Sequence, residues 1–381
     1  MGLWQLAYNT VGLAVIRTAA RLAAPFNPKL AASLAGRKRS FCAIEDFLSA
    51  LPGGRACPGG IWFHASSVGE FLQAVPLMRR IKKDQGQRPI YLSFSSPSVE
   101  KAAGSFEAAD IAFYLPEDTA SNMRRLLRML EPALVIFSKF DIWPNLVRLA
   151  CEVGVPVAVT AATLSPGSGR LRGLAACFHR SFYRHLSLVC AISDQDAESY
   201  RSLGVEPENC LVTGDTRFDQ TFERAAGIEA TDPRVAAFAN WSSQVCLVCG
   251  SIWPADEEHL LPAIARLAGN HQSLRFILVP HELAESHLES LAAFLDKNRI
   301  EYEFYSSFAP EQSEDRGESQ AGPKESARAV IVDRMGVLAW KPRYDMIDKN
   351  STNCSYCHLG GGNEFNNVFV NENNTDITHG I

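Results

Sequence analysis

Acid, base and cation side chains recur in this chain directly after short apolar runs. Glu70 follows Ile61 to His64 through Ala65-Ser66-Ser67-Val68-Gly69, and Lys139 and Asp141 follow Ala133 to Phe137. Arg217 lies in Gly214-Asp215-Thr216-Arg217-Phe218-Asp219, after Cys210 to Val212. A carboxylate so placed can take the proton of an attacking hydroxyl, and a cation beside it can hold a departing phosphate. In the second half, Gly250-Ser251 follows Val245 to Cys249 and offers backbone N–H donors of the kind that cradle phosphate. Pro280-His281-Glu282 follows Arg275 to Val279 in the same way.

Each residue also has a plainer reading. Ser67-x-x-Glu70 is a capping box, and spacing alone favours the cap over a general base. A helix dipole at that end would also lower the pKa of the carboxyl. Lys139, Arg217 and His281, taken singly, read as surface or packing residues. Their shared position at the ends of apolar runs is what points to anion binding. There is no glycine-rich dinucleotide fingerprint and no P-loop, so hydride transfer and ATP hydrolysis lack support.

These residues need a parallel sheet to position them, and the chain reads as one. Apolar runs at 61–64, 89–94, 133–137, 156–160, 188–192 and 210–212 alternate with helical patterns. In the helix 70–83, Phe71, Ala74, Val75 and Met78 form one stripe, and Ser96-Pro97 opens another helix. A second series has strands at 245–249, 275–279, 301–305 and 329–332, with a helix over 255–267. The expectation is α/β: two Rossmann-like doubly wound lobes, with ligands bound beyond the carboxyl ends of the strands and the active site in the cleft between them. The expected divisions are 1–40 as a basic apolar segment, 41–226 as the first lobe, 227–243 as a linker and 244–339 as a partial second lobe. Within the last, 306–328 reads as a solvated loop.

The chain has 381 residues, 46% apolar and 21% charged, which suits two folded lobes. Its net charge of -5, without a block of like charges, argues against nucleic acid as a partner. Ten scattered cysteines fit reduced thiols better than a disulfide scaffold. The first 44 residues carry Arg17, Arg21, Lys29, Arg37, Lys38 and Arg39 but no acid. An apolar helix with only positive charge suits an anionic membrane surface, the alternative being a terminal helix packed on the lobe. No run is apolar enough to span a bilayer, and the charges follow the apolar run, unlike those of a signal peptide.

Four stretches occur together and in order: Trp62-Phe63-His64-Ala65-Ser66-Ser67-Val68-Gly69-Glu70, Asp141-Ile142-Trp143-Pro144-Asn145, Gly214 to Asp219, and Val332-Asp333-Arg334-Met335-Gly336. Across about residues 1 to 339 the chain resembles bacterial 3-deoxy-D-manno-octulosonic acid (Kdo) transferases. The resemblance implies an inverting, metal-independent GT-B glycosyltransferase without a cofactor, moving Kdo from CMP-Kdo to a lipid A precursor (lipid IVA) in lipopolysaccharide synthesis. It places the enzyme on the cytoplasmic face of the inner membrane, attached by the basic apolar segment. It casts Glu70 as catalytic base, with Asp141, Lys139 and Arg217 as catalytic partners. Ser66, Ser67, Gly69, Trp143 and Asn145 would lie on the acceptor side. Gly250, Ser251, Pro280, His281, Glu282, Met335, Gly336 and Val337 would contact the cytidylate. Two departures stand out. Lys139 reverses the charge of the family's Glu-Thr-Glu pattern, whereas Arg217 keeps the cation of its Asn-Leu-Lys-Phe-Asp.

The resemblance stops near Leu338-Ala339. Residues 341 to 381 contain eight Asn and no apolar periodicity, so 340–381 is expected to be disordered, the mark of a shifted reading frame or misplaced gene end. Without the family's remaining segment, the second sheet would keep an open edge. Two other readings stay open: a truncated, inactive lipid-binding protein, and a GT-B transferase using another nucleotide sugar. Cys354-Ser355-Tyr356-Cys357-His358 matches a haem-attachment pattern but lacks the export that haem attachment requires. Cys246-Leu247-Val248-Cys249 lies in a strand, whose alternation puts its thiols on opposite faces.

Overall fold

The computed structural model describes residues 2–56, 58–104, 106–219, 222, 238, 241, 244–308, 323–334 and 368–370. The chain forms two compact units, 1–220 and 221–381.

The first unit is built on seven parallel strands: β1 (Gly60–Ala65), β2 (Ile90–Phe94), β3 (Ile111–Tyr114), β4 (Pro132–Ser138), β5 (Val157–Ala162), β6 (Leu188–Ala191) and β7 (Cys210–Val212). Their order is β3-β2-β1-β4-β5-β6-β7, so chain direction across the sheet reverses between β1 and β4. The central strands β1, β2 and β4 are largely buried on both faces, and their residues alternate between two apolar clusters. Trp62, Tyr91, Val135 and Phe137 enter one apolar cluster. Ile61, Phe63, Ile90, Leu92 and Ile136 enter the other. Double burial explains why these strands read as continuous apolar runs. β3 is absent from the sequence expectation because four residues at a sheet margin carry too little periodicity.

The helices are α1 (Leu3–Ala7), α2 (Leu13–Ala23), α3 (Pro28–Ser49), α4 (Val68–Asp84), α5 (Pro97–Ala103), α6 (Ala120–Leu130), α7 (Pro144–Glu152), α8 (Gly173–Tyr183) and α9 (Asp194–Ser202). A single π turn, Tyr8–Gly12, joins α1 to α2. α3 lies against β3, where Ser40 Oγ donates to the Tyr114 carbonyl at 2.6 Å. Gly36 makes that approach possible, because a Cβ there would sit 2.4 Å from the Tyr114 ring.

The N-terminal residues pack on this unit rather than standing apart. Arg17 pairs with Glu117 at 2.5 Å. The charge of Arg17 is thus met by the protein itself, and the segment packs on the lobe, as the alternative expectation had it. Leu3, Val11, Val15, Ile16, Leu22 and Phe26 remain exposed. Among the described residues, no helix is long and apolar enough to cross a membrane.

The second unit holds β8 (Cys246–Ile252), β9 (Arg275–Pro280), β10 (Tyr302–Phe304), β11 (Ala329–Ile331) and β12 (Val368–Val370), in the order β10-β11-β9-β8-β12. The helices α10 (Pro254–Asn270) and α11 (Glu285–Lys297) accompany them. Cys249 and Cys246 enter different apolar clusters, as strand alternation requires. Two expectations are corrected here. First, the strand expected to end at Cys249 continues through Gly250-Ser251 to Ile252, with an irregularity in its pairing there. Second, Val368–Val370 pairs antiparallel with β8, so a regular element occurs in a stretch expected to be disordered, and this edge of β8 is covered. β-favouring residue types and an unpaired edge account for that pairing. The linker 227–243 lies outside the described residues except at 238 and 241, as does 309–322 of the expected loop.

Gly36→Ala should overpack the contact with Tyr114 and lower stability by about 1–3 kcal/mol. Urea unfolding of the variant should show an earlier midpoint at unchanged slope.

Candidate functional site

In a doubly wound sheet the point where strand order reverses leaves a crevice at the carboxyl ends. Here those ends belong to β1 and β4, with Phe63 opposite Ile136 and His64 opposite Phe137. The register brings Ser66 and Glu70, which follow β1, beside Lys139 and Asp141, which follow β4. Lys139 takes a left-handed conformation (φ 73°) as its N–H still bonds the Thr160 carbonyl at 2.8 Å, which turns the chain sharply out of the sheet.

Ser66 joins the two carboxyls. Its backbone N–H donates to Glu70 Oε2 at 2.6 Å, and its hydroxyl donates to Asp141 Oδ2. Ser67 caps α4 by accepting the Glu70 N–H at 3.3 Å, and Ser138 Oγ donates to the Glu70 carbonyl at 2.7 Å. Glu70 therefore closes the helix end and also belongs to the carboxylate pair. Its side chain is buried. Burial pushes its pKa up to about 7, against the Ser66 N–H, which favours the charged form; Asp141 raises it further, and Lys139 opposes. The dipole-lowered value expected from the cap is overturned by desolvation.

Behind this pair lies a buried chain of donors whose protons can be assigned. The Trp143 indole N–H donates to His64 Nε2 at 2.9 Å. An indole only donates, so Nε2 is an acceptor and Nδ1 carries the hydrogen. Nδ1 lies 2.9 Å from Ser93 Oγ, which also accepts the Trp62 indole N–H at 2.8 Å. Ser93 in turn donates to the Phe63 carbonyl at 3.3 Å. His64 Nε2 also lies 3.1 Å from Ser66 Oγ, so the Ser66 hydroxyl proton has two acceptors, His64 and Asp141. Burial lowers the pKa of His64 to about 4, against the attraction of Asp141 and with Arg37 adding to the lowering. Arg37 on α3 is thus within electrostatic reach of the site, and its Nε has no hydrogen-bond partner among the described residues.

α4 reaches the remaining cation. Gln73, one turn beyond Glu70, donates to Asp215 at 3.1 Å, and Thr216 Oγ1 donates to the Gln73 carbonyl at 2.7 Å. Asp215 pairs with Arg217 at 2.6 Å. Glu70, Ser66, Ser67, Asp141, Lys139 and Trp143 are accordingly gathered around one helix start, and Arg217 is tied to the next turn of α4 through Asp215 and Gln73. A Cβ at Gly69 would meet Ser67 Oγ at 4.0 Å, an ordinary contact. Asn145 is engaged differently. It is buried, with its amide donating to Asn9 at 2.8 Å and its backbone N–H to Asp118 at 2.9 Å.

In the second unit Ser251 (φ 57°) sits 2.8 Å from His281 Nδ1, and Trp253 stacks on His281 at 3.8 Å. Pro280 ends β9, and Glu282 follows His281 as an exposed residue. Met335, Gly336 and Val337 lie outside the described residues. His64, Ser93, Gln73, Arg37 and Trp253 carry no sequence signal of their own. Only His64 stood within a quoted motif. Among the described residues, no group of three or more His, Cys, Asp or Glu is placed to hold a metal ion.

A family model described as 3-deoxy-D-manno-octulosonic-acid transferase (kdotransferase) matches residues 30–220. The 3-deoxy-D-manno-octulosonic acid transferase of Haemophilus influenzae is 23% identical over 75% of this chain and 64% of its own length. That of Chlamydophila psittaci is 26% identical over 73% of this chain and 60% of its own. The chain thus spans less than two thirds of either relative. A crystal structure assigned as a UDP-N-acetylglucosamine 2-epimerase from Listeria monocytogenes superposes with a TM-score of 0.51 at 10% identity, covering 74% of this chain and 70% of that one. That likeness concerns the fold, which is of the GT-B type.

Nitrogen-15 spectra of labelled histidine should show His64 as the neutral Nδ1–H tautomer, gaining a second proton only near pH 4. Titration at the ordinary value of about 6.5 would contradict the assigned chain of donors.

Proposed function

Because this chain belongs to the 3-deoxy-D-manno-octulosonic-acid transferase family, we propose that it transfers Kdo from CMP-Kdo to a lipid A precursor, lipid IVA, and releases CMP. The observation that carries this reading is the buried Glu70 carboxyl, poised near neutral pH beside Asp141 at the reversal point of the sheet. A general base works best when its pKa lies near the working pH. Glu70 takes the proton of a sugar hydroxyl as that oxygen bonds to the anomeric carbon of Kdo. The bond from that carbon to the phosphate oxygen breaks, with inversion, and its electrons leave on CMP. The transition state is oxocarbenium-like. A phosphate leaving group carries that charge without a metal ion, and Arg217, steadied by Asp215, supplies a cation for it.

Asp141 keeps negative charge near the developing oxocarbenium ion, and its hold on Ser66 fixes the N–H that positions Glu70. Lys139 tempers that negative charge. In the second unit, Ser251, Pro280, His281 and Glu282, with Gly250, receive the cytidylate, joined by Met335, Gly336 and Val337. The exposed apolar residues of α1 and α2 attach the protein to the anionic cytoplasmic face of the inner membrane.

The test is CMP release that needs both CMP-Kdo and lipid IVA. Glu70→Gln should lower the rate by about 10²–10⁴-fold. In the parent protein the rate should rise with pH through about 7, as Glu70 loses its proton. A parent rate that is independent of Glu70 would overturn the assignment. Activity with another nucleotide sugar and none with CMP-Kdo would favour a different donor.

A further inference from the structure

A second recess in the first unit is lined at one side by Pro144 and Asn145, which follow Trp143 of the Glu70 site. α1, α7 and α8 enclose a cleft of about 360 Å3. Tyr8 and Phe178 form one wall, their ring centroids 5.7 Å apart. Arg148, Arg180, Arg184 and His185 also line it, and no acidic residue does. Arg148 shares its charge with Glu152 outside the lining. Arg180 is anchored by a 2.8 Å bond to the Ser202 carbonyl. Arg184, at the end of α8, is exposed.

Polarity changes along α8. Leu174, Cys177, Phe178 and Ser181 recur at positions i, i+3, i+4 and i+7, which places them on one helical face. The last three line the cleft. Leu174 is 74% exposed at one end of that face, and Trp4, Tyr8 and Phe182 add apolar lining. Arg180 and Arg184 lie toward the C-terminal end of α8, and Arg148 faces the cleft from α7. An apolar margin that runs into a cationic recess is the inverse of an anionic lipid, whose chains meet the margin and whose phosphate meets the guanidinium groups. A volume at the small end of ligand pockets suits a headgroup with the first carbons of its chains.

We propose that this cleft binds the phosphate headgroup of one anionic phospholipid, so that the unit grips a single lipid as well as lying on the surface. The inference extends the membrane attachment proposed above but does not depend on the transferase chemistry. CMP release reports on the latter alone.

Cys177 provides the readout, because it lines the cleft while Cys42 and Cys151 are exposed elsewhere. The full chain is treated with N-ethylmaleimide and each cysteine is followed by peptide mass spectrometry. The probe is monomeric dihexanoylphosphatidylglycerol, below the concentration at which it forms micelles. It should slow alkylation of Cys177 and leave Cys42 and Cys151 unchanged. Arg184→Gln should require about tenfold more lipid for the same protection, the worth of one charged hydrogen bond. Should that variant fold poorly, Leu174→Ser should weaken protection from the apolar end. Three outcomes overturn the proposal: no protection of Cys177, equal protection by dihexanoylphosphatidylcholine, or equal protection by inorganic phosphate.

Discussion

The pairing of β1 with β4 governs this molecule. The two strands are separated by the whole β2–β3 excursion, yet they lie side by side because the order reverses there. In a parallel pair both carboxyl ends open on the same side, so whatever follows each strand must meet. Glu70 follows one and Asp141 the other. A shift of one residue in this register would exchange the two faces of β1, moving Phe63 into the cluster of Trp62 and breaking the His64 chain.

Burial then decides the chemistry of what that pairing collects. A carboxyl on the first turn of a helix is ordinarily held charged by the dipole and by N–H donors. Glu70 has both influences, yet it titrates near neutrality because it has lost most of its contact with water and faces a second carboxyl. His64 undergoes the converse change and remains neutral. A single serine stands between them, and each of its polar groups meets a different side chain. The same economy appears at α7. There Asp118 accepts from the Asn145 and Leu146 backbone and from the Tyr8 hydroxyl, tying the N-terminal helices to the sheet. Burial raises its pKa to about 7, against those donors.

Much of this was legible in the residues. The parallel sheets followed from apolar runs alternating with helical stripes, and strand ends at Ala65, Ser138 and Val212 were visible within a residue or two. The capping box at Ser67 and Glu70 was read from spacing. Asn145 was legible as part of a motif but not in its role. Its neighbours Asp118 and Asn9 are far away in sequence. Gly250-Ser251 was expected just beyond the end of a strand, whereas pairing with β9 carries the strand past it. Short marginal strands such as β3 and β12 have too few residues to show a period.

The sequence by itself determined which side chains stand at strand ends, because periodicity and turn chemistry are local. It also determined their types: carboxylates after β1 and β4, and an arginine after β7. Tertiary structure alone decided which of them meet, and what burial does to their protons. Desolvation and charge proximity depend on residues such as Ser93 and Arg37, which reach the site from another strand and another helix. Those distances are properties of the fold and leave no pattern along the chain.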